Sequence, residues 1–194
     1  MSGLYENLPF KRGATYGTTD TTFATHLEGK EYIHEDQAYG TGVYVKVRIC
    51  RNNSGITLLG KRAAKFNIVA GKVDQDVSGY ADVTSERSYI IDDLLPALGV
   101  PNGDLFFVVI EGPCLARTGL AADGTNVLVA GDLLHALTAA TTGATTSGRV
   151  GPAVLTGATS VLALQILNIV GRALSAKTTA NTNADVLINA GRFA

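Results

Sequence analysis

The stretch Leu105-Phe-Phe-Val-Val-Ile110 is a continuous run of six apolar residues near the middle of the chain. A strand with one wet face alternates apolar and polar residues, whereas this run presents apolar side chains to both sides. The turn sequence Pro101-Asn-Gly-Asp104 stands directly before it. The run therefore predicts a central β-strand that is buried on both faces, and we expect Gly112-Pro113 to end it.

Further strands are predicted on both sides of this run. In residues 43–50 the side chains alternate, so that Val43, Val45, Val47 and Ile49 fall on one face. Short apolar segments separated by turns continue to the end of the chain, a spacing that favours a sandwich or a barrel. The other predicted strands cover residues 56–59, 61–69, 114–117, 127–129, 133–138, 163–170, 171–174 and 185–190.

Three segments depart from the strand pattern. Residues 88–98 carry apolar side chains at helical spacing, which predicts a short helix that Pro96 ends early. Residues 71–80 are polar and predict a turn region. Residues 1–40 show neither period and predict an irregular lead-in, within which residues 28–36 are expected to form a loop or a short helical turn.

Charge is balanced overall but unevenly distributed. The chain has 16 basic and 17 acidic residues, and this balance argues against a dedicated nucleic-acid binder. Residues 1–100 hold 23 of these charges and residues 101–194 hold 10. A surface covered by Thr and Ser explains the charge-poor half. Burial against partner subunits explains it equally well, because the cores of interfaces are depleted in charge.

The sequence carries no signal for secretion or membrane insertion. The first residues lack the apolar core of a secretory signal, and the most apolar stretch, residues 153–170, has too many polar residues for a membrane span. Cys50 and Cys114 are expected to be buried free thiols, since two cysteines do not make a disulfide framework. We expect a soluble protein made in the cytoplasm, with neither membrane nor nucleic acid as a partner.

Groups that could carry chemistry are scattered along the sequence. His26 and His34 stand among carboxylates and could bind a divalent metal, although exposed charge in a loop is the commoner meaning of such a stretch. Asp92 and Asp93 would point about 100° apart on a helix, and Asp93 is expected to face water. Asp132 predicts a turn carboxylate that accepts from backbone N–H groups. The sequence therefore predicts no catalytic, cofactor or metal site.

Four short motifs follow one another in the second half of the chain. They are FVVIEGPCLAR at 107–117, VAGDLL at 129–134, IVGRALSA at 169–176 and DVLINAG at 185–191. Together they resemble the small β-barrel capsid decoration (cement) proteins of tailed bacteriophages, over residues 104–194. The resemblance implies a virion protein on the capsid surface, often a homotrimer, that binds and holds neighbouring subunits of the major capsid protein lattice. Several modest contacts in each trimer would make dissociation rare.

The predicted fold class is mainly β, in three parts. Residues 1–40 form an extended N-terminal arm, residues 41–103 a β-rich middle segment with a short helix, and residues 104–194 the small β-barrel that the resemblance implies. Deleting residues 1–25 is expected to leave a folded domain that binds its lattice weakly or not at all. The candidates for capsid contact in the arm are Leu4, Tyr5, Pro9 and Phe10.

Two alternatives remain open from the sequence. One is another phage virion component, such as a tail or adhesin module, whose copy number would not match the capsid lattice. The other is a small β-barrel enzyme using Asp132, His135 and the loop at residues 139–151, although His135 reads better as a partly buried strand residue. Such an enzyme would show pH-dependent turnover as a soluble species.

Overall fold

The structure is a computed structural model, and it describes residues 9–17, 26–66, 75–82, 85, 87–119, 127–137, 148–153, 169–178 and 184–191. The described part is mainly β, as predicted, with a 3-10 helix at Gln37–Tyr39. None of its helices has the length and apolarity that crossing a membrane requires. The strands are β1 Glu31–Glu35, β2 Tyr44–Asn52, β3 Ala63–Phe66, β4 Asp76–Tyr80, β5 Ser88–Ile91, β6 Leu105–Arg117, β7 Leu133–Ala136, β8 Val150–Pro152, β9 Ile169–Ala173 and β10 Asp185–Ala190.

All ten strands belong to one sheet, in the order β1-β2-β4-β3-β5-β6-β10-β9-β7-β8. Because β2 pairs with β6 as well as with β4, the pairing of β2, β4, β3, β5 and β6 returns to its start. We call these five strands the first ring. The strands β6, β10, β9, β7 and β8 form the second ring, in which a parallel bridge from Val150 to Thr118 leads from β8 back to the end of β6.

Strand β6 is shared by the two rings and is buried on both faces over Leu105–Val109, which confirms the prediction from the apolar run. Phe106 and Val108 pack with side chains from every other strand of the first ring. Leu105 and Phe107 point to the opposite face and join the larger cluster, which contains side chains of the second ring together with others from β1, β2, β3 and β5. One strand thus supplies apolar side chains to two cores.

The prediction that Gly112-Pro113 ends this strand is wrong, since β6 continues to Arg117. Gly112 has a φ of 100°, and a Cβ there would lie 2.6 Å from the carbonyl oxygen of Tyr44 in β2. The register of β2 against β6 also shifts at this point, between Lys46 and Val47. The glycine and the bulge bend the strand without ending it.

The predicted helix at residues 88–98 is also wrong, because its first part is strand β5 and a turn follows. Ile90 packs in the larger cluster and Ile91 in the cluster of the first ring. Adjacent apolar residues that serve opposite faces of a strand imitate a helical pattern when more apolar residues follow in the turn.

Two more expectations fail in the first half of the chain. Strand β4 lies within residues 71–80, where a turn region was expected, and β1 lies within residues 28–36, where a loop or helical turn was expected. β1 is a polar edge strand, and its Glu31 carboxylate pairs with Lys46 at 2.5 Å and with Arg48. Ion pairs to the neighbouring strand help to hold β1 in the sheet. Because β1 lacks the alternation of apolar and polar residues, the sequence pattern did not predict it as a strand.

In the second ring, β9 and β10 approach closely at Gly171. A Cβ on this glycine would lie 2.3 Å from the carbonyl oxygen of Asn189. We expect Gly171→Ala to lower the free energy of unfolding by about 1–3 kcal/mol, because the strands would have to move apart. Urea denaturation followed by circular dichroism measures this. Gly17→Ala is the control, since a Cβ there meets only the Asp104 carboxylate at 3.9 Å. Equal stabilities of the two variants would contradict the close approach.

Candidate functional site

A group of buried ionisable residues surrounds Arg12, whose side chain is 3% exposed. Its Nε and Nη2 donate to Asp92 Oδ1 at 3.1 and 2.8 Å, and Nη2 also donates to Asp93 Oδ1 at 2.5 Å. Nη1 donates to Asp36 Oδ2. Tyr39 completes the group by donating its hydroxyl to Asp93 Oδ2. We call these five residues the Arg12 cluster.

Local structure fixes the three carboxylates of the cluster. Asp36 caps the 3-10 helix and accepts from the Ala38 N–H at 3.0 Å. Asp92 directly follows β5 and accepts from the backbone of Gly13 at 2.7 Å. Asp93 accepts from the Leu115 N–H in β6 at 3.0 Å. The cluster therefore joins the N-terminal segment, the end of β1, the end of β5 and the second half of β6.

Charge in the cluster is fixed by burial and by mutual attraction. Burial alone would lower the pKa of the Arg12 guanidinium, but Asp92, Asp93 and Asp36 outweigh it, and the pKa is raised. Burial raises the pKa of Asp92, which Arg12 and two backbone N–H groups oppose. Burial and the hydrogen bond to Asp93 also raise the pKa of the Tyr39 phenol well above its usual range. Arg12 and Tyr39 therefore keep their protons near neutral pH, which suits a structural connection.

His34 and Cys114 lie beside the cluster, and burial shifts the pKa of each toward its uncharged form. Burial and the nearby Arg12 charge lower the pKa of His34, so the imidazole is neutral at pH 7. Burial raises the pKa of the Cys114 thiol, followed by the effect of Asp93, and a protonated thiol is a weak nucleophile. Cys50 and Cys114 are both buried and form no disulfide, as predicted.

The structure corrects the expectation for Asp93, which was placed on a helix and facing water. Asp93 is buried, because the chain leaves β5 in a turn and both carboxylates reach Arg12. Sequence reasoning also missed Arg12. It is separated from Asp92 by 80 positions, so no local periodicity relates the two residues. An adjacent Asp pair beside apolar residues was the available signal, and it needed a buried cation to complete it.

The four predicted capsid-contact residues fall in different places. Leu4 and Tyr5 lie outside the described residues. Pro9 is exposed, whereas the Phe10 ring stacks on Phe107 of β6 with centroids 4.4 Å apart. Phe10 and Arg12 therefore tie their part of the predicted arm to this chain's own core. Deleting residues 1–25 would remove both, so the structure argues against the expectation that the truncated chain folds.

The other candidate residues, Asp132, His135 and His26, lie in the described part of the chain. Asp132 Oδ2 accepts from the Val129 N–H at 2.8 Å, which confirms the turn carboxylate. His135 is buried in β7, and burial lowers its pKa. His26 is exposed, and no group of three potential metal ligands occurs among the described residues. Most of the loop at residues 139–151 lies outside them.

Comparison with family models, curated proteins and solved structures gave no match to this chain. Its function is therefore argued from its own residues and contacts.

The Arg12 cluster gives a direct prediction for stability. Arg12→Leu should lower the free energy of unfolding by about 3–5 kcal/mol, because three buried carboxylates lose their cation. Lys11→Leu is the matched control, since Lys11 is exposed and adjacent. Urea denaturation compares the two variants. If Arg12→Leu is no less stable than Lys11→Leu, the cluster does not hold the N-terminal segment in place.

Proposed function

We propose that this chain is a capsid decoration protein of a tailed bacteriophage, a homotrimer that binds the outside of the shell and holds neighbouring major capsid subunits. The part at residues 104–194 is proposed to be its small β-barrel. The cyclic pairing of the second ring, with the bridge between Val150 and Thr118, supports the barrel. The sequence motifs at 107–117 and 169–176 support the family.

The observation that carries the proposal is an exposed apolar surface in the charge-poor half. Leu128 and Lys177 exchange two backbone hydrogen bonds of 3.0 Å and so form an isolated antiparallel bridge. The Leu128 side chain is 1% exposed, whereas Val127 and Val129 on either side are 44% and 60% exposed. Leu174, in the bend between β9 and Lys177, is 47% exposed. We call Val127, Val129 and Leu174 the apolar patch.

Such a surface suits contact with protein. Side chains alternate along an extended segment, so the two valines share the face opposite Leu128. Exposed aliphatic residues that share a face, in a region poor in charge, have the composition of an interface core. We assign the patch to contact between copies of this chain, in keeping with the trimer that the motifs imply.

A fixed framework also suits a protein that works by holding others. Strand β6 and the Arg12 cluster connect both rings and the N-terminal segment through buried contacts. A surface on such a framework loses little conformational freedom on binding, so more of the contact energy appears as affinity. Repeated copies of a modest contact then give lasting attachment.

The trimer is tested by light scattering at micromolar concentration. We expect a trimer for the unmodified chain and for Ile56→Asp, and a smaller species for Val129→Asp, because a buried carboxylate opposes association. Ile56 is a matched control, since it is 50% exposed and lies in the first half of the chain. A monomeric unmodified chain would remove the trimer from the proposal. A trimeric Val129→Asp variant would remove the apolar patch.

The place of the protein in the virion is tested by electron microscopy. Antibodies raised against the purified chain are applied to phage particles whose genome encodes it. Labelling over the shell, with a copy number that matches the capsid lattice, supports the decoration proposal. Labelling of the tail would favour the tail or adhesin module. Particles without label would contradict a virion function.

A further inference from the structure

A cleft of about 390 Å³ lies beside the second ring and is lined by four basic side chains. These are Lys61 and Arg62 before β3, Arg117 at the end of β6, and Arg149 before β8. Asp185, at the start of β10, is the acidic residue among the described residues that line it. We call this cleft the basic pocket.

Backbone hydrogen bonds bring the basic residues together from distant parts of the chain. The Arg117 N–H donates to the carbonyl of Lys61 at 2.6 Å, and the Ala63 N–H donates to the carbonyl of Gly148 at 2.6 Å. Three separate segments are thus joined at one place, and each contributes at least one cation. The convergence results from the fold of the main chain.

Two unusual backbone positions support this arrangement. Lys61 has a φ of 65°, a left-handed conformation that is costly for a residue with a Cβ. Its N–H donates to the Ile91 carbonyl at 3.1 Å, which helps to hold it there. Gly148 has a φ of 73°, and a Cβ there would lie 2.7 Å from the Tyr80 ring. This close approach brings the following residue, Arg149, to the pocket.

The described residues that line the pocket include more basic than acidic side chains. The Asp185 carboxylate accepts from Lys61 Nζ at 2.7 Å and from Arg117 Nη1 at 2.9 Å, so two cations already share it. Among the described lining residues, four basic side chains thus converge on one carboxylate. Burial, followed by the nearby charges of Arg62 and Arg117, lowers the pKa of the Arg149 guanidinium. A bound anion would relieve this repulsion.

We propose that the basic pocket binds an oxyanion with at least two negative charges, supplied either by a phosphate compound or by neighbouring carboxylates of an acidic peptide. Guanidinium groups present paired donors that match the oxygen atoms of both ligand types. Leu59, Leu95 and Pro96 form an apolar wall beside the cations, which suits the carbon atoms of a ligand whose charged end meets the arginines. The proposal does not depend on the decoration function.

Isothermal titration calorimetry with the full chain tests this proposal. One titration uses inorganic pyrophosphate and the other uses an acetylated tri-glutamate peptide, both at constant ionic strength. Saturable binding is expected for at least one probe, and Arg149→Gln should weaken it at least ten-fold. Arg172→Gln is the matched control, because Arg172 is exposed on β9 and is not part of the pocket lining. The probe that binds identifies the source of the oxyanion.

A second variant separates loss of the pocket from loss of the fold. Asp185→Asn removes the competing carboxylate and should tighten binding by about five-fold, because attraction between the remaining cations and the ligand is then less opposed. Misfolding would weaken binding instead. The proposal is overturned if neither probe binds the unmodified chain, if Arg149→Gln binds as well as Arg172→Gln does, or if Asp185→Asn leaves affinity unchanged.

Discussion

The rest of the structure depends on the burial of both faces of β6. The even-numbered residues Phe106 and Val108 pack in the cluster of the first ring. The odd-numbered residues Leu105 and Phe107 pack in the larger cluster on the opposite face. Beyond Gly112 this alternation is reversed, since the even-numbered Cys114 packs in the larger cluster. The bulge opposite β2 and the positive φ of Gly112 produce the reversal. A single strand can therefore supply buried apolar side chains to two rings.

The Arg12 cluster lies where β6 passes from one ring to the other. The Asp92 N–H donates to the Phe107 carbonyl in the first half of β6, and Asp93 accepts from Leu115 in the second half. Burying four charged groups costs desolvation energy, which ion pairs and backbone donors offset. An apolar contact would tolerate several arrangements of the N-terminal segment. A guanidinium shared by three carboxylates accepts one arrangement, so the cluster favours a specific path for the chain.

Sequence patterns predicted those elements whose burial follows a simple period. The run at β6, the alternation in β2 and the closing strand β10 are of this kind, and the Asp132 turn follows from local hydrogen bonding. β5 was predicted as part of a helix because its adjacent isoleucines, Ile90 and Ile91, pack in two different clusters. The polar edge strand β1 depends on ion pairs from another strand, and the Arg12 cluster joins residues that lie far apart in sequence. Both depend on tertiary contacts between residues that no local periodicity relates.

The distribution of charge divides the surface into regions with different uses. Several charges of the first half pair with one another across neighbouring strands, as Glu31 does with Lys46 and Arg48. The second half has few charges, yet Arg117, Arg149 and Asp185 all reach the basic pocket. The apolar patch of this half instead exposes aliphatic side chains, among them Val127 and Val129. Binding at the pocket should weaken as salt screens it, whereas contact through the patch should persist. Salt dependence therefore distinguishes the two surfaces even when both bind protein.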